Sequence, residues 1–315
     1  MKFVAIEPLG IKEESLREMA ARALPKDAEI VLYRTRAADA EELIRRGRDA
    51  DVIAAANQPL SAEVINGCEN LKLLSIAFTG VDHIALDACR SKGITVCNSA
   101  GYSTAAVADL VFGMLISLER KLAECGEAVR AGKTREGLVG SELEGKRFGV
   151  VGTGEIGLRV ARIAGAFGCE VLAYSRTEKD VPGIRYTGLP ELLSVCDIVS
   201  LHVPLTGQTR GMIGEKELGL MKREAVLVNT ARGPLVDGRA LAQALREGRI
   251  GGAAVDVFDA EPPLSEDEPL LYAPRTVLAP HVGFATKEAL YKRALIVTDN
   301  VRKWLAGTPQ NVVQR

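Results

Sequence analysis

Along most of this chain, short runs of apolar and often β-branched residues alternate with stretches in which apolar positions recur at helical spacing. The short runs read as strands buried on both faces, and the periodic stretches as the helices that cover them. MKFVAIE, EIVLYRT, DVIAAAN, LKLLSIAF and ITVCN are the strands of a first series that ends near Asn98. KEESLREMAARAL, AADAEELIRRGRD, SAEVING and ALDACRSKG are its helices. A second series begins at KRFGVVGTGEIG and runs to TVLAPHVG. The last segment, KEALYKRALIVTDNVRKWLAG, is helical and follows a completed second sheet, so it is expected to return to the first domain. The pattern predicts an α/β chain with two doubly wound parallel-sheet domains. Residues 1–99 plus 287–315 form one, and residues 100–286 are inserted into it.

One stretch departs from this alternation. STAAVADLVFGMLISLERKLAECGEAVRAGK reads as a single long helix opened by Ser103 or Thr104. Its first half is apolar nearly all round, which requires burial on every side. That burial lies either between domains or against a second subunit, and a homodimer through the helix starting near Ser103 is expected.

Composition narrows the class. At 315 residues the chain is too long for one ordinary core. A formal net charge of −1 gives no footprint for nucleic acid or an anionic membrane surface. The longest apolar run, AAVADLVFGMLISL, contains Asp109 and is too short to span a bilayer. MKFVAIEP lacks the apolar core of a secretory leader, so a cytoplasmic enzyme is expected. Cys68, Cys89, Cys97, Cys125, Cys169 and Cys196 are scattered, with no C-x-x-C and no His at ligand spacing. They predict neither a metal site nor a disulfide framework, but small, mostly buried apolar residues.

Chemistry enters at FGVVGTGEIG, where Gly152-Thr153-Gly154-Glu155-Ile156-Gly157 follows a strand and opens a helix. Gly152 permits the tight turn, Gly154 the approach of a pyrophosphate to the backbone, and Gly157 close helix–strand packing. The phosphates would rest on unpaired N–H groups of the first helical turn, which holds Glu155 and Ile156. The inserted domain is thus a Rossmann nucleotide-binding domain, in a flavodoxin-like substrate domain. Where such a fold carries an acid for the ribose 2′-OH, AYSRT presents Ser175, eighteen positions after Gly157. Arg176 can pair with a 2′-phosphate, and Ser175 and Thr177 can donate to it, which predicts NADP as the preferred cofactor with NAD possible.

The chain has three histidines. His83, in TGVDHI, reads as a solvent-exposed loop residue without a role. His202 and His281 stand at the carboxyl ends of strands, where open α/β sheets bind ligands. VNTARGPLVD, AAVDVFDAEPP and LAPHVGFAT each deliver one ionisable group past a strand end: Arg232, Glu261 and His281. Reduction of a carbonyl beside a carboxylate needs a proton donor and a fork of hydrogen-bond donors, and this trio supplies both.

VVGTGEIG, CDIVSLHVPLTGQTRGMI, LVNTARGPLVD, AVDVFDAEP and APHVG, in this order and spacing, resemble the D-isomer-specific 2-hydroxyacid dehydrogenases. The resemblance runs from about Asp51 to Thr286, and the first fifty residues share only its pattern. It implies reduction of a small 2-oxo acid, hydroxypyruvate or glyoxylate, to the D-2-hydroxy acid, with His281 as general acid/base. Glu261 would hydrogen-bond His281 and favour the imidazolium, and Arg232 would bind the substrate carboxylate and polarise the carbonyl. FTGVD matches the loop whose N–H groups hold that carboxylate, which makes Phe78, Thr79, Gly80 and Val81 substrate-binding. Thr79, His202, Val203, Pro204, Thr209, Thr230, Ala231, Asp256 and Gly283 match cofactor contacts, as Arg232 and His281 also do. By the same resemblance Asp256 would face the nicotinamide amide.

Departures accompany the likeness. Ser175 replaces the usual acid, Phe78 stands where many members have glycine, and AGKTREGLVGSELEGK lacks a tryptophan often found there. No regulatory domain is expected after Arg315. Two rival readings remain: a nucleotide-sensing, non-catalytic binding protein of the co-repressor type, and a formate dehydrogenase, in which a Gln tends to replace Glu261.

Overall fold

The structure, a computed structural model, describes residues 1–313. Positions 314 and 315, the end of the expected first domain, lie outside the described residues. The chain forms two compact units, Met1–Ser103 with the segment from Ala285 onward, and Thr104–Phe284.

In the first unit the elements alternate as β1 (Lys2–Ala5), α1 (Glu13–Ala23), β2 (Glu29–Leu32), α2 (Ala40–Gly47), β3 (Val52–Ala55), α3 (Ala62–Gly67), β4 (Leu73–Ile76), α4 (Leu86–Ser91) and β5 (Thr95–Cys97). Every strand pair is parallel, in the order β2-β1-β3-β4-β5, the flavodoxin-like arrangement. β3 and β4 are buried along their whole length, β3 as an unbroken apolar run and β4 with a single small polar residue, Ser75.

The second unit contains α5 (Thr104–Glu119), α6 (Leu122–Arg130), β6 (Arg147–Val151), α7 (Glu155–Ala166), β7 (Glu170–Tyr174), β8 (Ile184–Tyr186), α8 (Leu189–Val195), β9 (Ile198–Leu201), α9 (Glu215–Leu220), β10 (Val226–Asn229), α10 (Gly238–Arg246), β11 (Gly252–Val255) and β12 (Thr276–Leu278). Its seven parallel strands run β12-β11-β10-β9-β6-β7-β8, so the winding reverses between β6 and β9. That is the topological switch point at which a doubly wound sheet binds its ligand. One face of the sheet is closed by Leu192, Leu218 and Leu241 of α8, α9 and α10. The other is closed by α5 and α7 through Leu115, Phe112 and Val160, with Phe112 stacked on Phe148 and Phe167. The last helix, α11 (Lys287–Leu305), belongs to the first unit, where Ser75 donates to the Val297 carbonyl and Asn300 to that of Asn98.

The single long helix is corrected. It breaks at Lys121, which takes the left-handed conformation at φ 49°. The segment from Gly137 to Ser141 folds back over the end of α5: Ser141 N donates to the Glu119 carbonyl, and a Cβ on Gly140 would sit 2.4 Å from that oxygen. Nor is the apolar half buried on every side, since Ala105, Asp109 and Gly113 are exposed within the chain. Of the cysteines, Cys68, Cys89, Cys97 and Cys196 are buried, and Cys125 and Cys169 partly so, all as free thiols. Burial pushes the thiols of Cys68, Cys89 and Cys97 up to about 11 and that of Cys196 to about 12. Among the described residues no helix is long and apolar enough to cross a membrane, and no three His, Cys, Asp or Glu side chains form a metal-binding group.

Candidate active site

Most of the sequence-predicted residues stand just past the carboxyl ends of six parallel strands of the second unit's sheet. β6 delivers the glycine turn. Gly152 adopts φ 103°, and a Cβ there would meet the His202 carbonyl oxygen at 2.6 Å. At Gly157 a Cβ would lie 1.9 Å from the Gly152 oxygen, whereas nothing lies within 4 Å of one at Gly154. Two glycines therefore serve close packing, and the third leaves the backbone open above the first turn of α7. Glu155 and Ile156 sit in that turn, whose N–H groups have no intrahelical acceptor. The buried Thr153 Oγ1 has no hydrogen-bond partner. Open backbone, unpaired donors and an orphaned hydroxyl fit a dinucleotide pyrophosphate.

β7 leads to Ser175, half-buried, and to Arg176 and Thr177, both exposed. Lys179, which the sequence motifs did not single out, reaches back from this segment and donates from Nζ to the Thr153 carbonyl at 2.9 Å.

β9 ends at His202, whose Nε2 lies 2.9 Å from Ser200 Oγ. The residue is half-buried, and desolvation pushes its imidazole down to about 3, so it is neutral at physiological pH. Val203 and Pro204 follow it, and the Thr209 hydroxyl donates to the Pro204 carbonyl at 2.7 Å.

β10 ends in a turn organised by its last residue. Asn229 Oδ1 accepts from Ala231 N, and its Nδ2 donates to the Arg232 carbonyl, at 3.1 and 2.9 Å. Arg232 Nη1 donates to the Ala231 carbonyl at 2.7 Å, and the buried Thr230 hydroxyl has no partner. A Cβ on the next residue, Gly233, would fall 2.1 Å from Phe258 backbone atoms. The Arg232 turn thus rests directly on the segment that carries Glu261.

β11 and β12 build the histidine. Asp256, 1% exposed, accepts from Val282 N on Oδ1 and from Gly283 N on Oδ2, both at 2.8 Å. Its carbonyl accepts from His281 N at 2.8 Å. Burial raises the Asp256 carboxyl above its ordinary range, and the two N–H donors oppose that shift. This clamp holds His281 at φ 55°, a conformation that a residue with a Cβ adopts only when its surroundings impose it. The imidazole Nδ1 then faces both Glu261 carboxylate oxygens, at 2.8 and 3.0 Å, and the Phe284 ring packs edge-on at 5.6 Å. An ionised carboxylate only accepts, so Nδ1 carries a proton and proton exchange falls to Nε2. The clamp by Asp256 and the ring of Phe284 went unseen in the sequence, for both depend on contacts across the turn.

In the first unit, the Phe78 side chain is buried, edge-on to Tyr102 at 6.2 Å and with the Arg293 guanidinium 5.2 Å from its centroid. Its ring is therefore part of that unit's core. Thr79, Gly80 and Val81 follow at the surface, and Asn98 Nδ2 fixes the Thr79 carbonyl at 2.8 Å. His83 is corrected from an exposed residue to a structural tie: it is half-buried, with Nε2 2.9 Å from the Ala56 carbonyl.

Residues 112–283 match the model for the D-isomer specific 2-hydroxyacid dehydrogenase NAD-binding domain. The chain belongs to this family. It is 39% identical to glyoxylate reductase of Thermofilum pendens, over 85% of this chain and 82% of that one. It is 37% identical to glycerate dehydrogenase of Methylorubrum extorquens, over 87% and 88%. Among solved structures, an acyclic imino acid reductase, Bsp5, in complex with NADPH and D-Arg superposes with a TM-score of 0.91 at 31% identity, covering 99% of this chain and all of that one. This 2-hydroxyacid dehydrogenase is thus an oxidoreductase with a nicotinamide cofactor.

Proposed function

We propose that the protein reduces a small 2-oxo acid, hydroxypyruvate or glyoxylate, to the D-2-hydroxy acid, with NADPH preferred over NADH. The observation that carries the reading is the His281–Glu261 pair, held beside the Arg232 turn on a nucleotide-binding sheet. Relatives named glyoxylate reductase and glycerate dehydrogenase support the substrate class. A bound nicotinamide supplies the hydride.

Every other requirement falls on the chain. His281 Nε2 gives its proton to the carbonyl oxygen as negative charge develops there, and Glu261, accepting from Nδ1, orients the ring for that transfer. Arg232 holds the substrate carboxylate with its planar fork of donors. The first unit acts as the substrate domain, and the amides of Thr79, Gly80 and Val81 meet no acceptor among the described residues, as a carboxylate site requires. The neutral His202 serves packing and the cofactor side of the glycine turn, not proton transfer. Thr153 and Thr230, with orphaned hydroxyls, are the polar atoms a dinucleotide would satisfy.

The cofactor preference rests on Ser175 standing where an acid would repel a 2′-phosphate, with Arg176 and Thr177 exposed beside it. The protein acts in the cytoplasm as a homodimer through the α5–α6 stretch, which leaves Leu122 and Val129 52% and 77% exposed. Sedimentation equilibrium giving the monomer mass would remove the dimer from this reading.

The deciding experiment is kcat/KM for NADPH and NADH with hydroxypyruvate, glyoxylate and pyruvate, with chiral analysis of the glycerate and lactate formed, glycolate having no stereocentre. The expected result is a D product and a higher value with NADPH. An L product, or no turnover of any of the three acids, would overturn the assignment.

A further inference from the structure

We infer that Lys179 is a second cation of the 2′-phosphate site and a determinant of cofactor choice. This inference rests on the NADPH reading above and assigns a residue to it.

In a doubly wound fold the adenosine ribose meets two segments, the glycine turn and the end of the second strand. Lys179 belongs to the second, four residues past Ser175, and its Nζ is bonded to the carbonyl of Thr153, the residue between Gly152 and Gly154 in the first. The side chain therefore bridges both walls of the ribose site. Thr153 O is its one acceptor among the described residues, so two of its three N–H donors are uncommitted. The buried Thr153 hydroxyl beside that carbonyl is also unpartnered.

Charge supplies an independent reason. Between Ser175 and Asp180 the ionisable residues are Arg176, Glu178, Lys179 and Asp180, which sum to zero. Without Lys179, Arg176 would face two carboxylates alone, and an incoming dianion would meet a net negative segment. A purely structural lysine closing the loop would help every adenosine ligand equally. A lysine that reads the phosphate discriminates.

That difference sets the test, made by calorimetry on the full chain with 2′,5′-ADP and with 5′-AMP, which lacks the 2′-phosphate. Wild type is expected to prefer 2′,5′-ADP. Lys179→Met should weaken 2′,5′-ADP by about tenfold, the equivalent of 1.4 kcal/mol, and 5′-AMP by less than about twofold. Lys179→Arg should restore most of the loss. If wild type shows no preference, the NADPH reading fails and the inference falls with it. If wild type prefers 2′,5′-ADP and Arg176→Met abolishes that preference while Lys179→Met weakens both ligands alike, the reading stands and Lys179 is only a loop tie.

Discussion

His202 and His281 stand one residue past β9 and three past β12, at the same carboxyl edge of one sheet, yet their surroundings make them opposites. His202 is half-buried, bonded to the Ser200 hydroxyl and, desolvated by its surroundings, neutral down to about pH 3. His281 is turned outward through a left-handed backbone and paired with a carboxylate. A strand end brings a side chain to the ligand edge, but only local packing decides whether it can carry a proton. The sharpest test of the contrast is replacement of each ring. His281→Ala should lower kcat by about 10³-fold, within the range for loss of a general acid. His202→Asn should lower it by about tenfold at most. Comparable losses in kcat from the two variants would dissolve the distinction.

Next in size is the clamp that makes His281 different. Asp256→Ala removes two acceptors from the turn, and a misplacement of about 1 Å costs on the order of 10²-fold in rate. We expect a fall in kcat approaching that figure, with folding preserved as judged by circular dichroism. Nearly unchanged turnover in Asp256→Ala would mean that the positive φ at His281 is held by other contacts.

This clamp also marks the limit of what the sequence discloses. The strands β1, β3, β4, β6, β9 and β11 announce themselves, because a strand buried on both faces is mostly apolar, with charge only at its ends and at most one small polar residue inside, as Ser75 and Ser200 are. Gly152, Gly154 and Gly157 are legible for a similar reason, as one local turn demands all three. Arg232, Glu261 and His281 follow because each ends a recognisable run. Hidden from such reading are features made by residues distant in sequence. The break at Lys121 depends on Gly140 returning over α5, the His281 backbone on an Asp twenty-five positions earlier, and the Lys179 contact on a turn twenty-six positions earlier. His83 looked like an exposed loop residue because its partner, the Ala56 carbonyl, lies in another connection.

A third test uses acid rather than catalysis. His202 is neutral in the folded chain down to about 3, against an ordinary value of 6.5, so below pH 6.5 the unfolded chain binds a proton that the folded one refuses. Its contribution is therefore complete above pH 6.5 and declines as pH falls, by about 2 kcal/mol at pH 5. Urea unfolding at pH 7 and pH 5 should show a smaller loss in His202→Asn than in wild type. Equal losses would indicate that the ring takes up a proton without unfolding, and would bring His202 closer to His281 than its burial implies.

The smallest expected effect concerns the partner of His281. The Glu261 side chain is 56% exposed and that of His281 16%, so water screens their interaction and its charge part is worth only about 0.2–1 kcal/mol. Glu261→Gln keeps an oxygen to accept from Nδ1 but removes the negative charge. Glu261→Gln should therefore lower kcat by less than about fivefold, because the hydrogen bond that orients the ring survives. If Glu261→Gln is instead indistinguishable from wild type while Glu261→Ala is impaired, Glu261 acts by orienting the imidazole. The difference between the two histidines would then be one of geometry, set by Asp256 and the left-handed turn, and not of charge.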